Sequence, residues 1–339
     1  MRKRQYQIGV FVMNKINVVV TGTGSLIGQA IIKSIWHSTI KSKLRIIGCD
    51  YFTDTAGSFW CDKNYILPDL LKPQEIEAWK SAVVDIVEVE KIKMFFVGVD
   101  FELSYFADIK QELLEKYGCY VIVSNKNVID IGNDKYLTFE FLRRHKLNAP
   151  MTVLLEEVNE DEIKFPVILK PRQGARSRGV ALIKNNKEYQ VESKKYVGKG
   201  FIVQEAVGNA NAEYTCGLLY WDEEYQNSII LKRVLKEGNT ILAEFQGNCE
   251  TKIKEYIRKI GDALIPFGSC NLQLRIDESG EPYLFEINPR FSGTTYMRVL
   301  FGYNEVEYII HRILGWDLPK LNPMPGKVYR FYEERLVEC

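Results

Sequence analysis

The feature that most constrains the fold is an apolar run that ends in a glycine turn near the start of the chain. Ile16 to Val20 is apolar but for Asn17 and leads into Thr21-Gly22-Thr23-Gly24-Ser25-Leu26-Ile27-Gly28. Helical spacing follows through Trp36, and a second strand, Leu44 to Cys49, ends at Asp50. Runs apolar on both faces read as buried parallel strands, so strand, helix and strand in this order predict a βαβ unit. Lys93 to Val99 and Tyr120 to Ser124 read as further strands of the same sheet. Asp100, Glu102 and the helix after them lie at a strand's carboxyl end, the edge where open α/β sheets place ligands. The turn, with an acid about 20 residues on, also resembles a dinucleotide fingerprint. Its spacing is G-x-G-x-x-x-G, however, and a tight strand-to-helix turn needs glycine for close packing in any case.

A chain of 339 residues has room for two or three compact units. Hydrophobic content of 46% and charged content of 26% are those of a soluble globular protein. A net charge of +1 makes no case for a nucleic-acid partner, which usually demands a basic face. No apolar run approaches ~20 residues, so no membrane partner is expected. Residues 1–13 are an uncertain extension: Arg2-Lys3-Arg4 and Ile8 to Val12 faintly suggest a signal peptide, but the apolar part is short and Met13 offers another start. Seven scattered cysteines form no Cys-x-x-Cys pair, and several sit in apolar runs, which suits reduced core thiols in the cytoplasm. The three histidines (37, 145 and 311) are far apart and give no support for zinc.

From Ile129 the organisation changes. Asn133-Asp134-Lys135 opens a helix running to His145, and Phe165 to Pro171 is a short strand containing Lys170. The loop Arg172-Gln173-Gly174-Ala175-Arg176-Ser177-Arg178-Gly179-Val180 follows, and the chain returns as a strand to Ile183. Backbone N–H groups and a hydroxyl in such a loop can cradle phosphates while the cations neutralise charge. An exposed hairpin tip has the same composition. Phe201 to Val207 and Tyr214 to Trp221 read as strands, and Ile229 to Val234 as a run containing Lys232 and Arg233. Ile253 to Leu264 and Glu305 to Leu314 have helical spacing, and a tail begins at Pro319.

Asn271 to Ile276 and Tyr283 to Asn288 form a hairpin around Asp277-Glu278-Ser279-Gly280. Alternation puts Asn271, Gln273 and Arg275 on one face, and Leu284, Glu286 and Asn288 on a face opposite Tyr283, Phe285 and Ile287. A turn symmetric about Ser279 and Gly280 pairs Gln273 with Glu286 and Asn271 with Asn288. A carboxylate and amide oxygens on one patch suit Mg²⁺, which shares its coordination with nucleotide phosphates. Arg290, just beyond, suits phosphoryl oxygens through its planar fork. A solvated hairpin face would also carry such residues.

The number, order and spacing of these segments resemble the ATP-grasp superfamily, most closely the ATP-binding half of the carbamoyl-phosphate synthetase large subunit, over roughly residues 15–316. The resemblance implies an α/β fold with a Rossmann-like pre-ATP-grasp domain at 14–128, where Gly98-Val99-Asp100-Phe101-Glu102-Leu103 matches a characteristic segment. A two-lobed α+β ATP-grasp domain at 129–318 follows, with a small lobe at about 129–205 and a large lobe at about 206–318. Residues 319–339 are left as a C-terminal tail.

By the same resemblance Lys135 and Lys170 hold nucleotide phosphates, and the loop with Gly174, Ser177 and Gly179 closes over them. Glu205 and the Val207 backbone read adenine and ribose, with Glu213 on the ribose side. Gln273, Glu286 and Asn288 bind Mg²⁺, for which Mn²⁺ can substitute, and Arg290 stabilises the transferring phosphoryl group. The implied activity is ATP- and Mg²⁺-dependent ligation of a carboxylate to an amine through an acyl phosphate, in a cytoplasmic protein whose form can be a homodimer.

Asp100, Glu102, Ser292 and Arg298 are the candidates for recognising the small-molecule carboxylate and amine. The sequence departs from carbamoyl-phosphate synthetase in its single copy and in its shorter 174–179 loop. The segment Phe291-Ser292-Gly293-Thr294-Thr295 is closer to small stand-alone carboxylate–amine ligases, which puts bicarbonate and ammonia in doubt. The competing functions are a non-catalytic ATP-binding subunit of a larger complex and an NAD(P)-dependent oxidoreductase using Gly22 to Gly28.

Overall fold

A computed structural model describes residues 15–174, 179–208, 212–247, 250–334 and 336. The chain opens with strand β1 (Ile16–Thr21), helix α1 (Leu26–Trp36), β2 (Leu44–Asp50), β3 (Lys63–Ile66) and α2 (Ile76–Glu90). β4 (Met94–Phe96), α3 (Leu103–Tyr117) and β5 (Tyr120–Ile122) complete a five-stranded sheet of order β3-β2-β1-β4-β5. Every pairing in it is parallel. This is the doubly wound arrangement that the opening βαβ unit implies. Its centre is fully buried: Val18, Val19, Val20, Phe95 and Phe96 have no exposed surface.

Glycine makes the first turn possible. Gly22 adopts φ +59°, and a Cβ on Gly28 would lie 2.1 Å from the Gly22 carbonyl oxygen. The α1 backbone therefore rests directly on the strand end, as the packing explanation of the turn requires. Ser25 caps the helix by accepting from the Gly28 N–H (2.8 Å), and its hydroxyl donates to the Gly98 carbonyl (2.7 Å).

Helices α4 (Lys126–Asn133) and α5 (Lys135–Arg144) lead into the second half, and the expected boundary at 128/129 falls inside α4. Val128 packs into the core of the large sheet and Ile129 into the first domain, so α4 is shared between them. A small antiparallel sheet, order β6-β9-β7-β8, contains β6 (Thr152–Leu154), β7 (Val167–Pro171) and β8 (Ala181–Ile183). α6 (Asn186–Glu192) then leads to its last strand, β9 (Phe201–Glu205). This sheet has its own core around Leu169, Ile183 and Tyr189.

The large antiparallel sheet is built from β10 (Glu213–Trp221), β11 (Glu224–Lys236) and β12 (Asn239–Phe245), then, after α7 (Thr251–Leu264), β13 (Gly268–Ile276) and β14 (Pro282–Asn288). α8 (Thr295–Leu300) and α9 (Glu305–Leu314) follow, and α9 matches the helical spacing expected there. The tail is not structureless: β15 (Gly326–Tyr329) pairs with β12 and completes the order β14-β13-β10-β11-β12-β15. Four residues are too few to show a period-2 pattern, and the pairing arises because β12 presents an open edge.

The first domain is welded to the large lobe. Ile31 and Ile35 of α1 share one core with Phe291, Met297, Val306 and Ile309. Asn304 Nδ2 donates to the Ser34 carbonyl (3.0 Å), and the Thr39 N–H to Glu307 Oε1 (2.9 Å). This union fixes the carboxyl edge of the parallel sheet against the segment after β14. No helix among the described residues is long and apolar enough to cross a membrane.

Candidate functional site

A cleft open to solvent lies between the small and large sheets. Its walls include Lys135, Lys170, Gly174, Glu205, Val207, Glu213, Gln273 and Glu286, eight of the residues singled out in the sequence. Lys135 opens α5, whose N-cap Asp134 accepts from the Tyr136 and Leu137 N–H groups and holds Arg172 Nε at 2.6 Å. Lys135 Nζ donates to the Gly174 carbonyl (2.9 Å), which ties the base of the loop that follows β7 to the helix. Gly174 (φ +119°) and Gly179 (φ +73°) both use backbone that L side chains rarely adopt. Gly179 packs near Pro171 beside the cleft, and Ser177 lies outside the described residues.

Lys170 points from β7 into the cleft and is only 6% exposed. Its Nζ donates to Gln204 Oε1 at 2.7 Å. Burial pulls its pKa down to about 8; Glu286 acts against that shift and Lys135 adds to it. Lys135 is lowered as well, again by burial, with Glu286 and Asp134 opposing. Two cations held short of electrostatic satisfaction face the same space, an arrangement that favours a polyanion.

Glu213 is buried and clasped from two sides. Arg233 Nη2 donates to its Oε1 (2.6 Å) and Arg275 Nη2 to its Oε2 (2.8 Å). The sequence names both arginines but gives neither a role in the site; the signal was the sheet register, in which Glu213 stands directly opposite Arg275. Arg233 also donates to Gln273 Oε1 (2.6 Å). Ile168, Val180, Leu235, Tyr283 and Phe285 supply apolar wall, which single residues in strands could not reveal. Glu205 accepts from the Met151 N–H (3.1 Å) at the cleft edge.

In the hairpin, Gln273 pairs with Glu286 and Asn271 with Asn288, as turn symmetry predicts. The route differs. Near the turn, Arg275 pairs with Tyr283 and Ile276 with Pro282, a register centred on Ser279, and a β-bulge at Gln273/Leu274 shifts it by one residue. The bulge also corrects the expected faces. Leu284 joins Ile287 in the core, while Tyr283, Phe285 and Glu286 line the cleft.

Asn288 Nδ2 donates to Glu286 Oε1 (3.0 Å), and Asn288 Oδ1 accepts from Arg290 Nη2 (2.8 Å). Arg290 Nη1 reaches the Phe291 carbonyl (2.9 Å), and its Nε bonds Asp100 Oδ1 across the domain junction. The donor set is all hard oxygen with one carboxylate, which fits Mg²⁺ whose remaining positions are filled by phosphate and water. Gln273, Glu286 and Asn288 would hold it.

Three of the four acceptor candidates are corrected by burial. Glu102 has no exposed surface and accepts from Thr21 Oγ1 and from the Tyr51 hydroxyl (2.7 Å), and burial raises its pKa to about 7. Arg298 is neither substrate-facing nor a surface arginine. It is fully buried and donates to Glu305 (2.7 Å), Asn271 (2.5 Å) and Ser292 (3.2 Å). Ser292 is closed by the same network, so these residues hold the loop after Arg290 rather than meet a ligand. Asp100 alone is open. On the glycine turn, Asp50 Oδ2 accepts from the Gly24 N–H (2.7 Å) and from Thr23 Oγ1 (3.1 Å), so the acid and the amide of the dinucleotide reading are spent on each other.

Comparison with known proteins agrees with this geometry. Residues 132–294 match the family model of the ATP-grasp domain. A D-alanine–D-alanine ligase of Francisella tularensis subsp. novicida is 31% identical over 173 residues, covering 47% of this chain and 57% of that protein. The chain thus spans a little over half the length of that relative. Among solved structures, the ADP complex of N5-carboxyaminoimidazole ribonucleotide synthetase superposes with a TM-score of 0.74 at 13% identity, covering 93% of this chain and 81% of that one. An L-amino acid ligase from Bacillus licheniformis gives 0.71 at 15% identity, with 91% and 78% covered. Around the cleft, residues 132–294 thus match an ATP-grasp domain, and the likeness in fold to the solved structures extends over the Rossmann-like domain ahead of it.

Proposed function

We propose that the chain is an ATP- and Mg²⁺-dependent ligase that joins a carboxylate to an amine through an acyl phosphate. The observation that carries this reading is the convergence in one cleft of two desolvated lysines on one carboxylate, Glu286, to which Arg290 is linked through Asn288. Lys135 and Lys170 would bind the phosphates, and the apolar wall of Ile168, Leu235 and Phe285 would take the base. Mg²⁺ supplies charge neutralisation at the transferring phosphoryl group when bound. Arg290, positioned by Asp100 and Asn288, would carry charge on that group as the substrate carboxylate attacks. The amine then displaces phosphate from the acyl phosphate. Both steps depend on positioning and charge rather than on a strong general base, and no histidine lines the cleft.

The D-alanine–D-alanine ligase among the sequence relatives supports an amino acid as a substrate. Ser292-Gly293 after Arg290 agrees with a departure from carbamoyl-phosphate synthetase. The test is Mg²⁺-dependent ADP release from a panel of amino-acid pairs. Glu286→Gln should abolish it while leaving the thermal unfolding transition in place. Full activity in that variant would refute the metal assignment. ATP binding without ADP release from any pair would refute the ligase reading.

A further inference from the structure

The arginines around the site are each matched by a carboxylate, with one exception. Arg233 and Arg275 share Glu213, Arg290 holds Asp100, and Arg298 holds Glu305. Arg330 has no carboxylate partner among the described residues. It stands just past β15, where its N–H continues the ladder by donating to the Ile241 carbonyl (2.8 Å). Its side chain crosses to the loop after Arg290, and Nη2 donates to the Gly293 carbonyl. Nη1 is buried and has no partner among the described residues. Burial lowers the pKa of the guanidinium, and no charged neighbour opposes the shift. A desolvated, half-bonded guanidinium is costly to keep, and its planar fork is shaped for a carboxylate.

Its position is specific. Gly293 lies three residues beyond Arg290, and a Cβ there would meet Leu26, the first residue of α1, at 2.8 Å. Arg330 therefore sits where the loop after Arg290, the start of α1 and the C-terminal strand converge. A carboxylate being phosphorylated belongs beside Arg290 and Glu286, so a second anionic group is what Arg330 is placed to take. We infer that Arg330 anchors a free carboxylate of the substrate, one that is not phosphorylated, and so selects an amino acid on the acceptor side. The inference rests on the ligase reading for its place in the reaction, but the anchor can be observed by binding alone.

The experiment uses the full chain with Mg²⁺ and a non-hydrolysable ATP analogue. Thermal shift and calorimetry are run with a panel of L- and D-amino acids, each paired with its carboxamide. At least one acid, and not its amide, should bind the wild type. Losing one charge-assisted contact pair should weaken that acid by about 10- to 100-fold in Arg330→Gln. Arg330→Lys should recover part of the loss, and affinity for the ATP analogue should be unchanged in both variants. A purely structural tie to Gly293 would move acid and amide alike. Equal binding of the acid by wild type and Arg330→Gln, or no acid bound in preference to its amide, overturns the anchor. ADP release is measured separately on the same pairs. Acid-selective binding without turnover would sink the ligase reading and leave the anchor standing.

Discussion

Nucleotide binding should be coupled to proton uptake through Lys170. In the empty protein burial holds this lysine near pKa 8, against an ordinary value of 10.5. The difference makes the charged form about 3 kcal/mol less favourable than in water, taking about 1.4 kcal/mol per unit. Phosphates placed against Nζ restore the charge, so binding drives a proton onto the side chain wherever it was neutral before. The sign follows from the direction of the shift. Well below pH 8 the lysine is already charged and nothing is taken up, whereas above it uptake grows. For one group, uptake should be about 0.1 proton at pH 7, about 0.5 at pH 8 and about 0.9 at pH 9. Apparent affinity should then fall about tenfold per unit above pH 8.

Titration calorimetry of ATP in buffers of high and low ionisation enthalpy reads this directly. Above about pH 7.5 the phosphates are fully ionised and contribute little. Lys170→Arg keeps a permanent charge and should bind with most of the uptake gone, with Lys135 supplying the remainder. Buffer-independent enthalpies between pH 8 and 9 in the wild type would refute the reasoning.

Two further outcomes concern the frame around the site. Arg298→Met leaves Glu305 buried without its ion-pair partner, so urea unfolding should show a loss of about 3–5 kcal/mol; a change below about 1 kcal/mol would mean that the pair is not the clasp described. Glu102 is a carboxyl whose folded pKa is raised to about 7 from 4.5, so the folded state binds its proton more tightly. Its contribution is fully present below about pH 4.5 and is lost as the pH rises through about 7, a span worth about 3 kcal/mol. Glu102→Gln should flatten the stability profile across that window, and an unchanged slope in chemical denaturation would refute the assignment.

Much of the site was legible because its parts are local. A lysine opening a helix after an N-cap, a lysine in a strand before proline, and a polar hairpin can each be read within a few residues. Their joint presence in one cleft follows once the strands are in order, and Lys135, Lys170, Glu213, Gln273 and Glu286 do meet there. The hairpin shows where such reading stops. Symmetry about Ser279 and Gly280 leads to the right pairs at Gln273–Glu286 and Asn271–Asn288, yet the turn is centred on Ser279 and a bulge restores the register. Strict alternation therefore put Leu284 on the wrong face, because an extra residue inverts the order of faces beyond it.

Arg298 and Glu102 were misjudged for another reason. Whether a charged side chain faces solvent, substrate or a buried partner depends on elements far away in the chain, here Glu305 and Asn271 for one, Thr21 and Tyr51 for the other. Arg330 is the strongest case, since it lies in a stretch that reads as a tail and reaches the Gly293 carbonyl in the loop after Arg290 while β15 pairs with the open edge of β12. By itself the sequence determined the succession of elements and the chemical types available, since periodicity and capping act over a few residues. Tertiary structure alone decided register, burial and the company each charge keeps, because those depend on packing between segments that local pattern does not encode.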